Sequence, residues 1–172
     1  MSLEAIKYTR GSLRILNQLK LPHDSVYLDI RTSEDGYFAI LNMIVRGAPA
    51  IAIVAALSLA VELHNKKDTA SKCTVREIRE RIENSLDYLN ASRPTAVNLS
   101  DAVSKLKTVV EVEAIREGST AKSVVEAYTV RAENMLQGDV TDNRNIGEFG
   151  AEWLMKAIAK EKISVLTHCN TG

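Results

Sequence analysis

Apolar and polar residues alternate along the first thirty positions of the chain. Glu4-Ala5-Ile6-Lys7-Tyr8 has period two, Gly11 offers a turn, and Leu13-Arg14-Ile15-Leu16 and Val26-Tyr27-Leu28 follow on either side of Pro22. This pattern predicts a small antiparallel sheet with one face covered. After Thr32-Ser33-Glu34-Asp35 the period lengthens: Phe38, Ile40, Leu41, Ile44 and Val45 fall on one helical stripe, with Ser33 or Asp35 placed to cap its first turn. Arg46-Gly47-Ala48-Pro49 interrupts the stripe. From Ala50 to Asn65 the chain is apolar almost all round, which predicts a helix in the middle of a bundle.

Cys73-Thr74-Val75 opens a charged amphipathic helix running to about Asn90, with Ile78, Ile82, Leu86 and Leu89 on its buried side. Arg93-Pro94-Thr95 stops it. The next helix carries Val97, Val103, Leu106, Val109, Val110 and Ile115 up to Gly118, and Ser119-Thr120 begins another that reaches Gln137-Gly138. Asp142-Asn143-Arg144-Asn145 reads as the N-terminal signal of a final helix, Ile146 to about Ala159, holding Phe149, Trp153 and Leu154. No segment resembles another at a fixed period, so these are stacked helices and not a repeat array. The β-rich run Lys162-Ile163-Ser164-Val165-Leu166-Thr167 then leads into His168-Cys169-Asn170-Thr171-Gly172. In open α/β sheets ligands gather at the carboxyl ends of strands, which makes this ending a place for chemistry.

Composition narrows the function classes. The chain has 172 residues, 45% hydrophobic, with 22 Lys+Arg against 22 Asp+Glu. That much apolar surface without charge excess offsets chain entropy, so a folded globular chain is predicted. A nucleic-acid partner is not expected, because counterion release needs a basic surplus and the basic residues are interleaved with acids. Aromatics at 5% leave little for a base-stacking platform. The longest apolar stretch, Ala50 to Val61, falls short of the about 20 residues that span a bilayer, so no membrane partner is expected. Cys73 and Cys169 lie too far apart in unlike surroundings to suggest a disulfide framework, and the start lacks the features of a signal peptide, which points to a reducing compartment. His23, His64, His168, Cys73 and Cys169 have no zinc-type spacing, so no metal is expected.

Three segments could carry chemistry. In Arg46-Gly47-Ala48-Pro49, Ala48 precedes a proline and is biased out of the α region, while Pro49 suits a first helical position. N–H groups near Gly47 and Ala48, beside Arg46, would then make an anion site; the other reading is an ordinary tight turn with a solvated arginine. Arg93 beside Pro94 is either a second anion contact or part of a surface linker. Cys169 has three readings: a strand-end thiol acting as acid, base or nucleophile, half of a pair with His168, or a small buried core residue. Adjacent strand residues point to opposite faces, which weakens the second.

Taken together, Leu3-Glu4-Ala5-Ile6-Lys7-Tyr8, Arg46-Gly47-Ala48-Pro49-Ala50-Ile51, Arg93-Pro94-Thr95-Ala96-Val97-Asn98, Asp142-Asn143-Arg144-Asn145-Ile146-Gly147 and Thr167-His168-Cys169-Asn170-Thr171-Gly172 resemble the methylthioribose-1-phosphate isomerase family, in order along the whole chain. The resemblance implies an aldose–ketose isomerisation of 5-methylthioribose 1-phosphate in methionine salvage, without metal or organic cofactor. It implies substrate binding by Arg46, Gly47, Ala48 and Arg93 and catalysis by Cys169. It implies a longer protein, homodimeric and cytoplasmic or also nuclear, whose Rossmann-like second domain supplies an acid/base aspartate. The expected architecture is therefore α+β: a small antiparallel sheet and a helical domain over 1–160, then the first strand and catalytic loop of a truncated Rossmann-like α/β domain over 161–172. The regulatory subunits of the translation-initiation guanine-nucleotide exchange factor are similar to this family and imply the alternative, a non-catalytic subunit or interaction module.

Overall fold

A computed structural model describes residues 4–66, 72–158 and 162–166. The N-terminal alternation forms three strands, β1 (Ile6–Thr9), β2 (Ser12–Leu16) and β3 (Tyr27–Ile30), in one antiparallel sheet of order β1-β2-β3. Gly11, at φ +83°, turns the first hairpin, whose register pairs Thr9 with Ser12 and Tyr8 with Leu13. Leu13 and Ile15 of β2 are buried, so the sheet lays one face on the helices as its period-two pattern requires, and Leu16 at the strand's end is buried as well.

Five α-helices follow among the described residues: α1 (Ser33–Leu41), α2 (Ala48–Asn65), α3 (Val75–Asn90), α4 (Val97–Ala114) and α5 (Ala121–Ala157). Helix α2 is the axis of the bundle, packed by α1, α3, α4, α5 and β2. It is longer than its most apolar stretch, and by length and composition alone it could cross a bilayer; 67% of it is buried inside the fold, which makes it the core helix. Tyr128 of α5, fully buried, donates its hydroxyl to the Ala56 carbonyl at 2.9 Å and ties the two helices.

The sequence pattern holds best in α3, where Ile78, Ile82, Leu86 and Leu89 are all buried and Thr74 forms a capping box with Glu77. Helix α1 differs from expectation in two ways. Its cap is Thr32, with Asp35 as reciprocal partner, while the Ser33 hydroxyl instead donates to Glu62 of α2 at 2.6 Å. Its buried face is Gly36, Ala39 and Ile40, leaving Phe38 and Leu41 exposed. The reason is close approach: a Cβ on Gly36 would lie 2.6 Å from Ser58 Cβ, so α1 meets α2 through its smallest residues. Val97 at the start of α4 and Ile115 just past its end are exposed, and Leu99, Ala102, Val103, Leu106 and Val110 make the helix's buried face.

The largest departure is α5. A break was expected between Gly138 and Ile146, yet one helix of 37 residues runs through, about 55 Å long. Side chains that could have capped a new helix bond back onto the existing one: Thr141 Oγ1 donates to the Gln137 carbonyl at 2.9 Å and Asn143 Nδ2 to the Asp139 carbonyl at 2.8 Å. Each of its internal glycines, Gly138, Gly147 and Gly150, costs only about 1 kcal/mol. The buried residues of α5 all precede Met135, and the helix beyond Thr141 is exposed on nearly every side. Of the run Lys162–Thr167, expected to be the first strand of a second domain, residues 162–166 form no strand with any partner among the described residues, and Thr167 lies outside the described residues.

Candidate functional site

Helix α1 ends at Leu41, and the chain turns through Met43, at φ +56°, to reach Arg46 and Gly47. The residue that leaves helical geometry here is Gly47, at φ +96° and ψ +129°, and not Ala48, which is the first residue of α2 with Pro49 second. The proline restriction on Ala48 gives way because glycine, one position earlier, makes the left-handed turn without a Cβ in the way. No side chain caps α2 at this end. The Gly47 carbonyl accepts from Ile51 N–H at 3.0 Å, whereas the N–H groups of Ala48 and Ala50 lie in the first turn, which has no intrahelical partners to offer them. An uncapped N-terminus carries about half a positive charge, and half-buried Arg46 stands beside it.

The 3-10 turn Gln18–Lys20 after β2 holds this corner in place. Gln18 N–H donates to the Ile44 carbonyl at 3.0 Å, and Gln18 Nε2 reaches the Arg46 carbonyl at 3.5 Å. Opposite, α5 supplies Asp139 and Asn143. Together these groups line a cavity of about 210 Å³ with Arg46, Gly47, Pro49 and Ala50 at its floor. Two larger cavities adjoin it: about 570 Å³ between β1 and α5, sharing Ala5, Ala50 and Asp139, and about 410 Å³ between α2, α4 and α5, sharing Pro49 and Asp139. Burial, and then the neighbouring Asp142 carboxylate, push the Asp139 carboxyl above its ordinary range.

The structure thus gathers Arg46 and Gly47 in one cavity and puts Ala48 on the exposed side of the first turn. Arg93, half-buried in the loop between α3 and α4, does not line any of these three cavities; Asn98 of the same sequence segment does, in the 410 Å³ one. Cys169, His168, Asn170, Thr171 and Gly172 lie outside the described residues. Gln18 and Asp139 carried no signal in the sequence, because each joins the site only through tertiary packing. No cluster of three or more His, Cys, Asp or Glu side chains that could hold a metal occurs among the described residues.

Residues 44–172 match the model of the Initiation factor 2 subunit family. The chain belongs to that family. Its first matched residue is Ile44, so the match takes in the Arg46 corner and every helix from α2 onward. Within and around the family, the chain is 54% identical over 175 residues to a methylthioribose-1-phosphate isomerase of Pyrenophora tritici-repentis, covering 100% of this chain and 44% of that protein. It is 52% identical over 172 residues to the isomerase of the same name from Vitis vinifera, covering 99% of this chain and 45% of that protein. The chain therefore spans less than half the length of these curated relatives. Among solved structures it is similar to a 5-methylthioribose 1-phosphate isomerase from Pyrococcus horikoshii, with TM-score 0.77 and 30% identity over 88% of this chain and 40% of that one. It is also similar to a translation initiation factor eIF-2B delta subunit from A. fulgidus, with TM-score 0.72 and 31% identity over 89% and 42%. The family fold thus serves proteins named for two unlike roles.

Proposed function

We propose that this chain carries the phosphate-gripping part of an isomerase that converts 5-methylthioribose 1-phosphate into 5-methylthioribulose 1-phosphate. The observation that carries the reading is the uncapped N-terminus of α2 opening, with Arg46, into a cavity. A phosphate dianion placed there takes hydrogen bonds from free N–H groups and a charge-assisted bond from the guanidinium. The names of relatives that match essentially the whole chain at 52–54% identity support the isomerase over the exchange-factor subunit.

The substrate's 1-phosphate blocks ring opening to a free aldehyde, so the reaction needs groups that move hydrogen between neighbouring carbons while charge on oxygen is stabilised. In this proposal Arg46, Gly47 and Ala48 hold the phosphate end, Arg93 adds a second basic contact, and Cys169 acts at the reacting carbons with an aspartate from outside these 172 residues. The complete protein is a homodimer of the cytoplasm or nucleus, acting on a sugar phosphate, with no nucleic-acid partner.

Calorimetry with 5-methylthioribose 1-phosphate and with 5-methylthioribose tests the reading. Arg46→Ala should weaken binding of the phosphorylated sugar by about 10- to 100-fold, the range of a hydrogen bond to a charged group, and leave the dephosphorylated sugar unchanged. Equal losses for both would refute a phosphate role.

A further inference from the structure

Helix α5 keeps one apolar face far beyond the bundle. At 3.6 residues per turn Ile146 lies about five turns past Tyr128 on the same side of the helix, with Phe149 and Trp153 within about 60° of it. Up to Ala132 that side is buried against the bundle, but Ile146, Phe149 and Trp153 are 72%, 64% and 66% exposed. Three side chains of this size leave on the order of 400 Å² of apolar surface in one stripe, which is the scale of an interaction site.

The stripe is its own complement. Laid against a reversed copy of itself, about a centre between Phe149 and Gly150, it sets Phe149 opposite Gly150 and Ile146 opposite Trp153. A Cβ on Gly150 would meet nothing within 4 Å, so a ring from a second helix finds an open recess there. The same centre bisects the exposed stretch, which begins after Thr141 and ends with the helix at Ala157, about 24 Å in all. Two such overhangs therefore overlap fully, each stopping where the other's bundle begins. Charge agrees with the reversed register, because it puts Lys156 of one copy beside Asn143 of the other and within about one turn of Asp139 and Asp142. Asp142 disfavours the charged form of Asp139, with no cation among the described residues to offset it, and Lys156 is held in its own chain only by an exposed pair with Glu152. A parallel pair would stack Phe149 on Phe149 and set Lys156 against Lys156.

We infer that the distal part of α5 is a self-association surface, through which two copies of this chain pair antiparallel by Ile146, Phe149, Gly150 and Trp153 about a two-fold axis between Phe149 and Gly150. The contact is isologous, each copy giving and receiving the same residues. It does not depend on the phosphate reading, and it goes beyond the homodimer proposed for the complete protein by naming a surface within these 172 residues. Asp139 and Asn143 line the Arg46 cavity, so each copy brings its Lys156 to the rim of the other's cavity. With the stems of flanking residues the pair buries on the order of 1,000 Å², the low end for specific complexes, and a dissociation constant of about 10–100 μM follows.

Sedimentation velocity of the 172-residue chain from about 1 to about 300 μM tests this, and should show a monomer giving way to a dimer across that range. Gly150→Gln is the decisive variant. Glutamine is the better helix former, so circular dichroism should keep or gain helical signal, while the added side chain fills the recess and weakens the dimer about tenfold or more. Lys156→Asp should weaken it about fivefold, and adding Asp142→Lys should restore most of that loss, as only the reversed register brings the two positions together. A chain that stays monomeric throughout overturns the inference, the stripe then belonging against some other body. A dimer that Gly150→Gln leaves intact overturns it too, because association then uses another surface, and a loss in Lys156→Asp that Asp142→Lys does not repair overturns the antiparallel pairing. None of these results bears on the phosphate site, which the Arg46→Ala calorimetry decides separately.

Discussion

Replacing Glu62 by glutamine keeps the side chain's shape and removes its charge, at a point where α1, α2 and α3 are joined electrostatically. Glu62 Oε2 accepts from the Ser33 hydroxyl at 2.6 Å and the Ser33 N–H at 2.9 Å, while Oε1 lies 2.9 Å from Lys66 Nζ and 3.6 Å from an Arg81 guanidinium nitrogen. Burial alone pushes this carboxyl up, but the hydrogen bonds from Ser33 and Lys66 outweigh it and bring the pKa down to about 2, from 4.5. A carboxyl whose folded pKa is depressed adds stability above its unfolded pKa, and that stability is lost as pH falls through the folded value. The gap corresponds to about 3 kcal/mol at neutral pH and to roughly half of that at pH 3, at about 1.4 kcal/mol per pH unit. The side chain is only 12% exposed, so solvent screening takes little from that figure. Urea unfolding followed by far-UV circular dichroism should show Glu62→Gln less stable by about 2–3 kcal/mol at pH 7, with the deficit shrinking to about half at pH 3. A deficit below about 0.5 kcal/mol at pH 7, the size of an exposed ion pair, would refute the reasoning, as would one equally large at both pH values.

Two further substitutions probe the packing around α2. Gly36→Ala places a methyl against Ser58 and should destabilise by about 1–2 kcal/mol in a thermal melt, overpacking outweighing the better helix propensity of alanine; Ser58→Gly in the same chain should restore most of the loss. Tyr128→Phe removes the buried bond to the Ala56 carbonyl and should cost about 1 kcal/mol, with faster hydrogen exchange where α5 crosses α2; unchanged exchange there would mean that the bond does not hold the two helices together.

What could be seen in the sequence follows from how local each cause is. The face of α3 was legible because four residues at helical spacing all point to one neighbour, and the sheet because a period of two leaves only one way to bury Leu13 and Ile15. The face of α1 was not: Gly36 against Ser58 decides it, and that contact joins residues whose meeting no local pattern encodes. In α5 the polar run Asp142 to Asn145 has the composition of a helix start, but Thr141 and Asn143 turn their side chains back to carbonyls one turn earlier and the helix continues. At the Arg46 corner, the helix break beside a cation was legible because Pro49 and Arg46 lie close together in the chain, but the break was expected at Ala48 and falls at Gly47. Gln18 and Asp139 were not legible, since they arrive from β2's far end and from α5.

The chain's single tryptophan, Trp153, sits on the distal part of α5, 66% exposed and about 30 Å along the helix from Ala132, the last buried residue of α5. It is therefore a poor witness to the core. A fluorescence melt reports the environment of that projecting segment, while circular dichroism reports all five helices, and the two midpoints can part even where the bundle itself unfolds in one step. The same placement makes Trp153 a built-in reporter for anything that covers the stripe it forms with Ile146 and Phe149: coverage would shift its emission to the blue without any label attached.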